Sequence, residues 1–151
     1  MAAKVKTSPL VRSALEVLEH GLWHFFRSTT TTDMKFALLH VDQAVELLLK
    51  ERVRQGGLSI YKKGGKETIS IWAAYEILEI QLKCSIPEKA DLELLHEERN
   101  SIQHKYSNPT AEDASFYVEK AVRFIDRFTR DELNLNLADY VPSEHLSQLL
   151  P

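Results

Sequence analysis

The sequence predicts a single all-α domain, an antiparallel bundle of about five helices followed by a short C-terminal helix. Apolar residues recur every three or four positions along most of the chain. Capping residues and prolines mark the helix boundaries, and no segment alternates apolar and polar residues over a useful strand length. The 151 residues match one ordinary domain. We divide them into an N-terminal extension (1–7), a helical bundle (8–130) and a tail with a short helix (131–151).

The first two helices are predicted from their starting residues and apolar stripes. Ser8 followed by Pro9 is a start signal, because serine caps a helix and proline suits its first position. This helix should reach about Arg27. A polar run of serine and threonines then predicts a loop, with Asp33 as the N-cap of a second helix that reaches about Arg54. On the more solvated side of that helix, an i,i+4 pair is expected between its glutamate and lysine at 46 and 50.

A long connection with four glycines, residues 55–70, follows the second helix and predicts a mobile or hairpin-like excursion. The later boundaries come from capping signals. Ser70 should start the third helix, and Ser85 with Glu88 should start the fourth. Asn108-Pro109 should end the fourth helix, and Thr110 should start the fifth.

Composition excludes several classes of protein. A net charge of −3 gives no overall attraction to nucleic acid, so an RNA partner would need a local basic patch. No apolar run approaches the roughly 20 residues that cross a bilayer. Charged residues interrupt the apolar positions of the N-terminus, which rules out a secretory signal peptide. The single cysteine, Cys84, allows no internal disulfide. We therefore expect a cytoplasmic protein with no membrane contact.

The candidate site is the segment "HEERNSIQHKYSNP", residues 96–109. Arg99 and His104 are five apart, so on a straight helix they lie about 140° apart and roughly 7.5 Å along the axis. Asn100 is one helical turn before His104 and can orient its imidazole, whereas Arg99 and Tyr106 share another stripe. An arginine fork that stabilises charge on phosphorus and a histidine that moves protons suit metal-free cleavage of a phosphodiester.

The four residues together are a specific pattern. In a chain of this composition an Arg-x4-His spacing arises by chance roughly 0.3 times, whereas the pattern with asparagine and tyrosine arises about 0.0003 times. "RNSIQHKY" resembles the Arg-Asn-x3-His-x-Tyr motif of the HEPN superfamily (higher eukaryotes and prokaryotes nucleotide-binding). It is especially similar to toxins paired with minimal nucleotidyltransferases. Upstream, "FALLHVDQAVELLLKERV" resembles a poorly characterised stand-alone HEPN branch.

The resemblance implies a homodimer with a composite active site, acting as a metal-independent endoribonuclease in toxicity or defence. Arg99 and His104 would be catalytic and Asn100 would support them. Tyr106 would line the site or accept AMP from a nucleotidyltransferase antitoxin, which silences the enzyme. The alternative is a non-catalytic HEPN module that binds a nucleotide or a nucleotidyltransferase partner.

Four lysines are weaker candidates for contacts with an RNA backbone. They are Lys62, Lys63 and Lys66 in the glycine-flanked loop, and Lys105 in the motif. We expect no cofactor. His20, His24 and Glu16 share one helical face and suggest a metal site, but no distant ligand is evident, so a solvated or dimer-facing role is favoured.

The remaining candidates have simpler interpretations. Asp42 and Glu46 could orient Arg99 from across the bundle, although a surface position is favoured. Cys84 has no base beside it in the sequence, so a nucleophilic role is not expected. Aromatic residues near the end of the first helix and in the third are interpreted as core or dimer interface. They are Trp23, Phe25, Phe26, Trp72 and Tyr75.

Overall fold

A computed structural model describes residues 7–27 and 30–150 and confirms the all-α prediction. Residues 1–6 of the expected N-terminal extension, Ser28 and Thr29 of the predicted loop, and Pro151 lie outside the described residues. The helices are α1 (Pro9–Arg27), α2 (Thr31–Gln55), α3 (Ile71–Glu76), α4 (Lys89–Lys105), α5 (Ala111–Leu133) and α6 (Ser143–Leu149). A π-helical turn, Ile77–Gln81, extends α3, and a 3-10 turn, Leu137–Asp139, follows α5.

The central element is α2, which packs against α1, α3, α4 and α5. Its contact with α1 is the most extensive. The two helices are antiparallel, since His24 at the end of α1 contacts Asp33 at the start of α2. Because α2 is covered on several sides, its apolar residues are not confined to one narrow stripe. Four of its charged side chains are also buried in the described structure, namely Asp33, Asp42, Lys50 and Glu51.

The glycine-containing connection forms the predicted hairpin-like excursion and is attached to α2 by Lys50. Tyr61 and Thr68 form an isolated antiparallel bridge. The Lys50 ammonium donates to Thr68 Oγ1 at 2.8 Å and lies 3.4 Å from Glu46. The predicted Glu46–Lys50 pair is therefore present, but its predicted position on a solvated side is wrong, because Lys50 is buried beneath the loop.

The structure confirms three helix starts and corrects two. Helices α1, α3 and α5 begin where Ser8-Pro9, Ser70 and Thr110 predicted. The N-cap of α2 is Thr30, whose hydroxyl accepts from the Asp33 N–H, and the Asp33 carboxylate is bound to His24 instead.

Helix α4 starts at Lys89 rather than at Ser85, and no side-chain capping bond precedes it. Glu88 cannot complete a capping box because its carboxylate accepts from Arg127 Nε at 2.6 Å and from Nη2 at 2.8 Å. This contact joins the start of α4 to α5.

The end of α4 also differs from the prediction. The helix ends at Lys105, three residues before Asn108-Pro109, because Tyr106 adopts a left-handed conformation with φ of 56°. Its N–H and that of Ser107 both donate to the Ser101 carbonyl oxygen. Tyr106 therefore does not share a helical stripe with Arg99, whereas His104 does lie in the last turn as predicted. None of the described helices is long and apolar enough to span a membrane.

Candidate functional site around Arg99

The centre of the site is Asp42, a carboxylate that is only 1% exposed on α2. His96 on α4 donates from Nδ1 to Asp42 Oδ2 at 3.0 Å. The Arg99 Nε, one turn further along α4, is 3.8 Å from the same oxygen. The predicted surface position of Asp42 is therefore wrong, and the alternative, in which it orients Arg99 from across the bundle, matches the structure.

For both Asp42 and His96, burial and the neighbouring charged groups shift the pKa in opposite directions. Burial raises the pKa of the Asp42 carboxyl, while His96 and Arg99 oppose the rise. The hydrogen bond to Asp42 raises the pKa of the His96 imidazole, against the effect of its own burial. The folded protein thus holds protons on this pair at a higher pH than the separated groups would.

Arg99 is anchored on two sides. Besides the contact with Asp42, its Nη1 donates to Asn100 Oδ1 at 2.9 Å. The sequence predicted that Asn100 would steer His104, whereas its amide oxygen binds the arginine. The hydrogen bond to Asn100 uses one of the five guanidinium N–H groups, Asp42 at 3.8 Å adds an ion pair, and the side chain is 31% exposed. The other donors are available to a ligand.

A hollow of about 320 Å³ lies beside Arg99 between α2 and α4. Its lining is Phe36, Leu39, His40, Asp42, Gln43, Glu46, Arg99 and Gln103. The half-buried arginine is the cation that offers a planar fork to an anionic group entering this hollow.

The other motif residues face solvent at the end of α4. His104 and Lys105 are exposed, and Tyr106 is 87% exposed. None of the three lines the hollow, so a single chain does not bring His104 to Arg99 there. Arg99 therefore lines the hollow, whereas His104 is exposed outside it.

The loop lysines lie elsewhere on the molecule. Lys62, Lys63 and Lys66 are exposed, and Lys62 pairs with Glu67 at 3.3 Å. None of them lines the hollow beside Arg99, so their contact with RNA stays a prediction.

Cys84 is buried and forms no disulfide. Burial raises the pKa of its thiol to about 11, which agrees with the expectation that it is no nucleophile at neutral pH.

The aromatic residues divide between core and surface. Tyr75 is buried, and Phe25 and Phe26 pack against the core. Trp23 and Trp72 are about half exposed, and Trp72 meets the His96 ring edge-on at 5.5 Å between centroids. Trp72 thus covers the residue that holds Asp42.

Sequence reasoning missed two histidines. His96 lies one turn before Arg99 on the same face of α4, and this i,i+3 spacing was the available signal. His40 lies on α2 beside His20 and His24 of α1, so the expectation that no distant residue completes their group is wrong. No pattern within α1 points to His40, because the contact depends on how the helices pack.

A comparison of the chain with protein-family models, with curated proteins and with solved structures finds no match.

Proposed function

We propose that the protein is a metal-independent endoribonuclease of the HEPN type that acts as a homodimer in toxicity or defence. The observation that carries the proposal is Arg99, a half-buried arginine held by the buried carboxylate of Asp42 at the edge of a hollow. A buried charged group costs stability unless it is well paired, and perturbed groups in a cleft are typical of functional sites.

The chemistry follows from the two side chains of the motif. The 2′-hydroxyl oxygen of RNA attacks the adjacent phosphorus, and the bond from phosphorus to the 5′-oxygen breaks. Arg99 stabilises the negative charge that develops on the phosphoryl oxygens. The His104 imidazolium donates a proton to the leaving 5′-oxygen, and the proton of the 2′-hydroxyl passes to solvent. The products are a 2′,3′-cyclic phosphate and a 5′-hydroxyl.

The different surroundings of Arg99 and His104 support a site shared by two copies of the chain. Arg99 faces α2 and the hollow, whereas His104 is exposed at the end of α4. In a dimer that pairs the two α4 ends, the histidine of one copy can reach the phosphate bound by the arginine of the other. The exposed Lys105 would then meet the RNA backbone.

Tyr106 fits the role of a control point in this proposal. Its side chain is 87% exposed and follows directly after the helix end that carries His104. A nucleotidyltransferase antitoxin could reach its hydroxyl, and an AMP group attached there would add bulk and negative charge beside the histidine. RNA would be excluded by both effects.

The test is cleavage of a single-stranded RNA in excess EDTA, with the products analysed for cyclic phosphate ends. We expect Arg99→Ala and His104→Ala each to lower the rate at least 100-fold. The matched control is Arg123→Ala on α5, whose arginine pairs with Glu119 on an exposed surface and should leave the rate unchanged. No cleavage by the wild-type chain, or equal rates in His104→Ala and wild type, would refute the proposal.

A nucleotide-binding module is the second candidate, and the hollow itself favours it. Its volume of about 320 Å³ lies at the lower end for small-molecule sites, and its arginine suits a phosphate. Thermal stabilisation by ATP or AMP that Arg99→Ala abolishes, in protein that cleaves no RNA, would select this function over the first.

A further inference from the structure

A group of three histidines lies at the junction of α1 and α2, apart from the motif. His20 and His24 are one turn apart on α1, and His40 comes from α2. Their ligand nitrogens all lie within 4.8 Å of one another. The His20 and His40 rings are stacked with centroids 4.7 Å apart, and His20 and His24 have the same separation. Three imidazoles from two helices therefore converge on one point.

The helices approach closely at this point because of Gly21. A Cβ atom at Gly21 would lie 3.0 Å from the His40 Cβ and 3.3 Å from the Ala37 carbonyl oxygen. A methyl group at this position would press against these atoms, so glycine favours the close approach. Gly21 thus places His40 of α2 against the two histidines of α1.

A buried carboxylate fixes the orientation of one of these rings. His24 Nδ1 donates to Asp33 Oδ1 at 3.0 Å, and Asp33 is buried at the start of α2. With Nδ1 engaged, the nitrogen left for a ligand is Nε2. Metal-bound histidines commonly donate their second nitrogen to such a carboxylate, which fixes the tautomer and makes the ring a better ligand.

We propose that His20, His24 and His40 form a site for a late first-row transition metal ion, such as Zn²⁺. Imidazole is a favoured ligand of these ions, and Zn–N bonds of 2.0–2.1 Å place tetrahedral nitrogens about 3.3 Å apart. The three nitrogens lie within 4.8 Å of one another, so metal binding requires them to approach by up to about 1.5 Å. Three protein ligands leave a fourth position for water or for a donor from another molecule.

The metal would join α1 to α2 and stabilise one wall of the Arg99 hollow. His40 belongs both to the histidine group and to the lining of that hollow. Binding to the folded chain alone would raise its stability in proportion to the logarithm of metal concentration. This site does not rest on the proposed ribonuclease activity, since it uses neither Arg99 nor His104.

The test is a titration of the full, tag-free chain with Co²⁺, followed by visible absorption, and with Zn²⁺, followed by calorimetry. We expect one equivalent per chain and a tetrahedral Co²⁺ spectrum. His20→Ala and His40→Ala should each weaken binding at least tenfold. Asp33→Asn should weaken it roughly tenfold through His24. His104→Ala removes a histidine outside the group and serves as the matched control.

His20 is exposed, so its substitution tests the site even if His40→Ala fails to fold. Circular dichroism checks that each variant is folded, and thermal melts with and without Zn²⁺ give a second measurement. At one fixed Zn²⁺ concentration, we expect the melting temperature of the wild type and of His104→Ala to rise by more than that of His20→Ala. Absence of saturable binding by the wild type, or equal affinity in His20→Ala, would overturn the proposal.

Discussion

His96 on α4 donates from Nδ1 to Asp42 Oδ2 on α2 at 3.0 Å, a partly buried contact between residues 54 positions apart in the chain. It joins the helix that carries the motif to the central helix of the bundle. The same carboxylate holds Arg99, so the pair positions the residue on which the proposed function depends.

The pair predicts a pH dependence of stability. Because Asp42 raises the pKa of His96 above its ordinary 6.5, the folded chain binds more protons than the unfolded chain above that pH. Its contribution is therefore complete below about pH 6.5 and is lost as the pH rises through the raised pKa. In urea unfolding at pH 6 and pH 8, the wild type should lose more stability between the two pH values than His96→Gln does. The contributions of the other histidines are the same in both proteins and cancel from this difference. A difference of zero, or one of opposite sign, would contradict the raised pKa of His96.

Removing the charge of Asp42 should lower both stability and activity. In Asp42→Asn, His96 and Arg99 lose their common anionic partner in a buried position, which costs roughly 2 kcal/mol by urea unfolding. Cleavage of RNA should also fall at temperatures where the variant stays folded, because Arg99 loses its anchor. Glu119→Gln, which alters an exposed i,i+4 pair, is the control and should cost less than about 1 kcal/mol. Equal effects of the two substitutions would refute the role of Asp42.

The left-handed conformation of Tyr106 predicts that glycine is more stable at this position. A residue with a side chain is strained at φ of 56°, and the exposed Tyr106 ring has little packing to lose. Tyr106→Gly should therefore raise the free energy of unfolding by about 1 kcal/mol. Lys83 has φ of 53° and is also exposed, so Lys83→Gly provides the comparison. A loss of stability in Tyr106→Gly alone would indicate packing of Tyr106 against another surface, such as a second copy.

The close approach at Gly21 predicts a selective loss of stability. Gly21→Ala adds a methyl group 3.0 Å from the His40 Cβ and should cost roughly 1–3 kcal/mol. Gly65→Ala places its methyl group at least 3.6 Å from its neighbours and should be nearly neutral. Thermal or urea unfolding of both variants measures the difference. Equal stability would show that the helices separate without cost.

The sequence predicted the fold well because its signals are local. Ser8-Pro9, Ser70 and Thr110 mark helix starts through contacts within one turn, and the structure has helices at each of them. The misplaced boundaries depend on distant partners. Glu88 binds Arg127 and Asp33 binds His24, so neither carboxylate caps a helix as the local sequence predicted.

The site was predicted only in part. Arg99, Asn100 and His104 stood out by their spacing on one helix. Their supporting groups come from α2, and a single sequence does not show which of its polar residues face the interior. Asp42 was named as a possible partner of Arg99, but its burial, and the position of His40, follow only from the packing of α2 against α4 and α1.

The most direct test of the account is complementation between two inactive variants. Arg99→Ala and His104→Ala are mixed, allowed to exchange subunits, and assayed for RNA cleavage in EDTA. If each site takes its arginine from one copy and its histidine from the other, a mixed dimer has one intact site. With random exchange, about one quarter of the wild-type activity should return. Two inactive variants that stay inactive after proven subunit exchange would contradict the shared site.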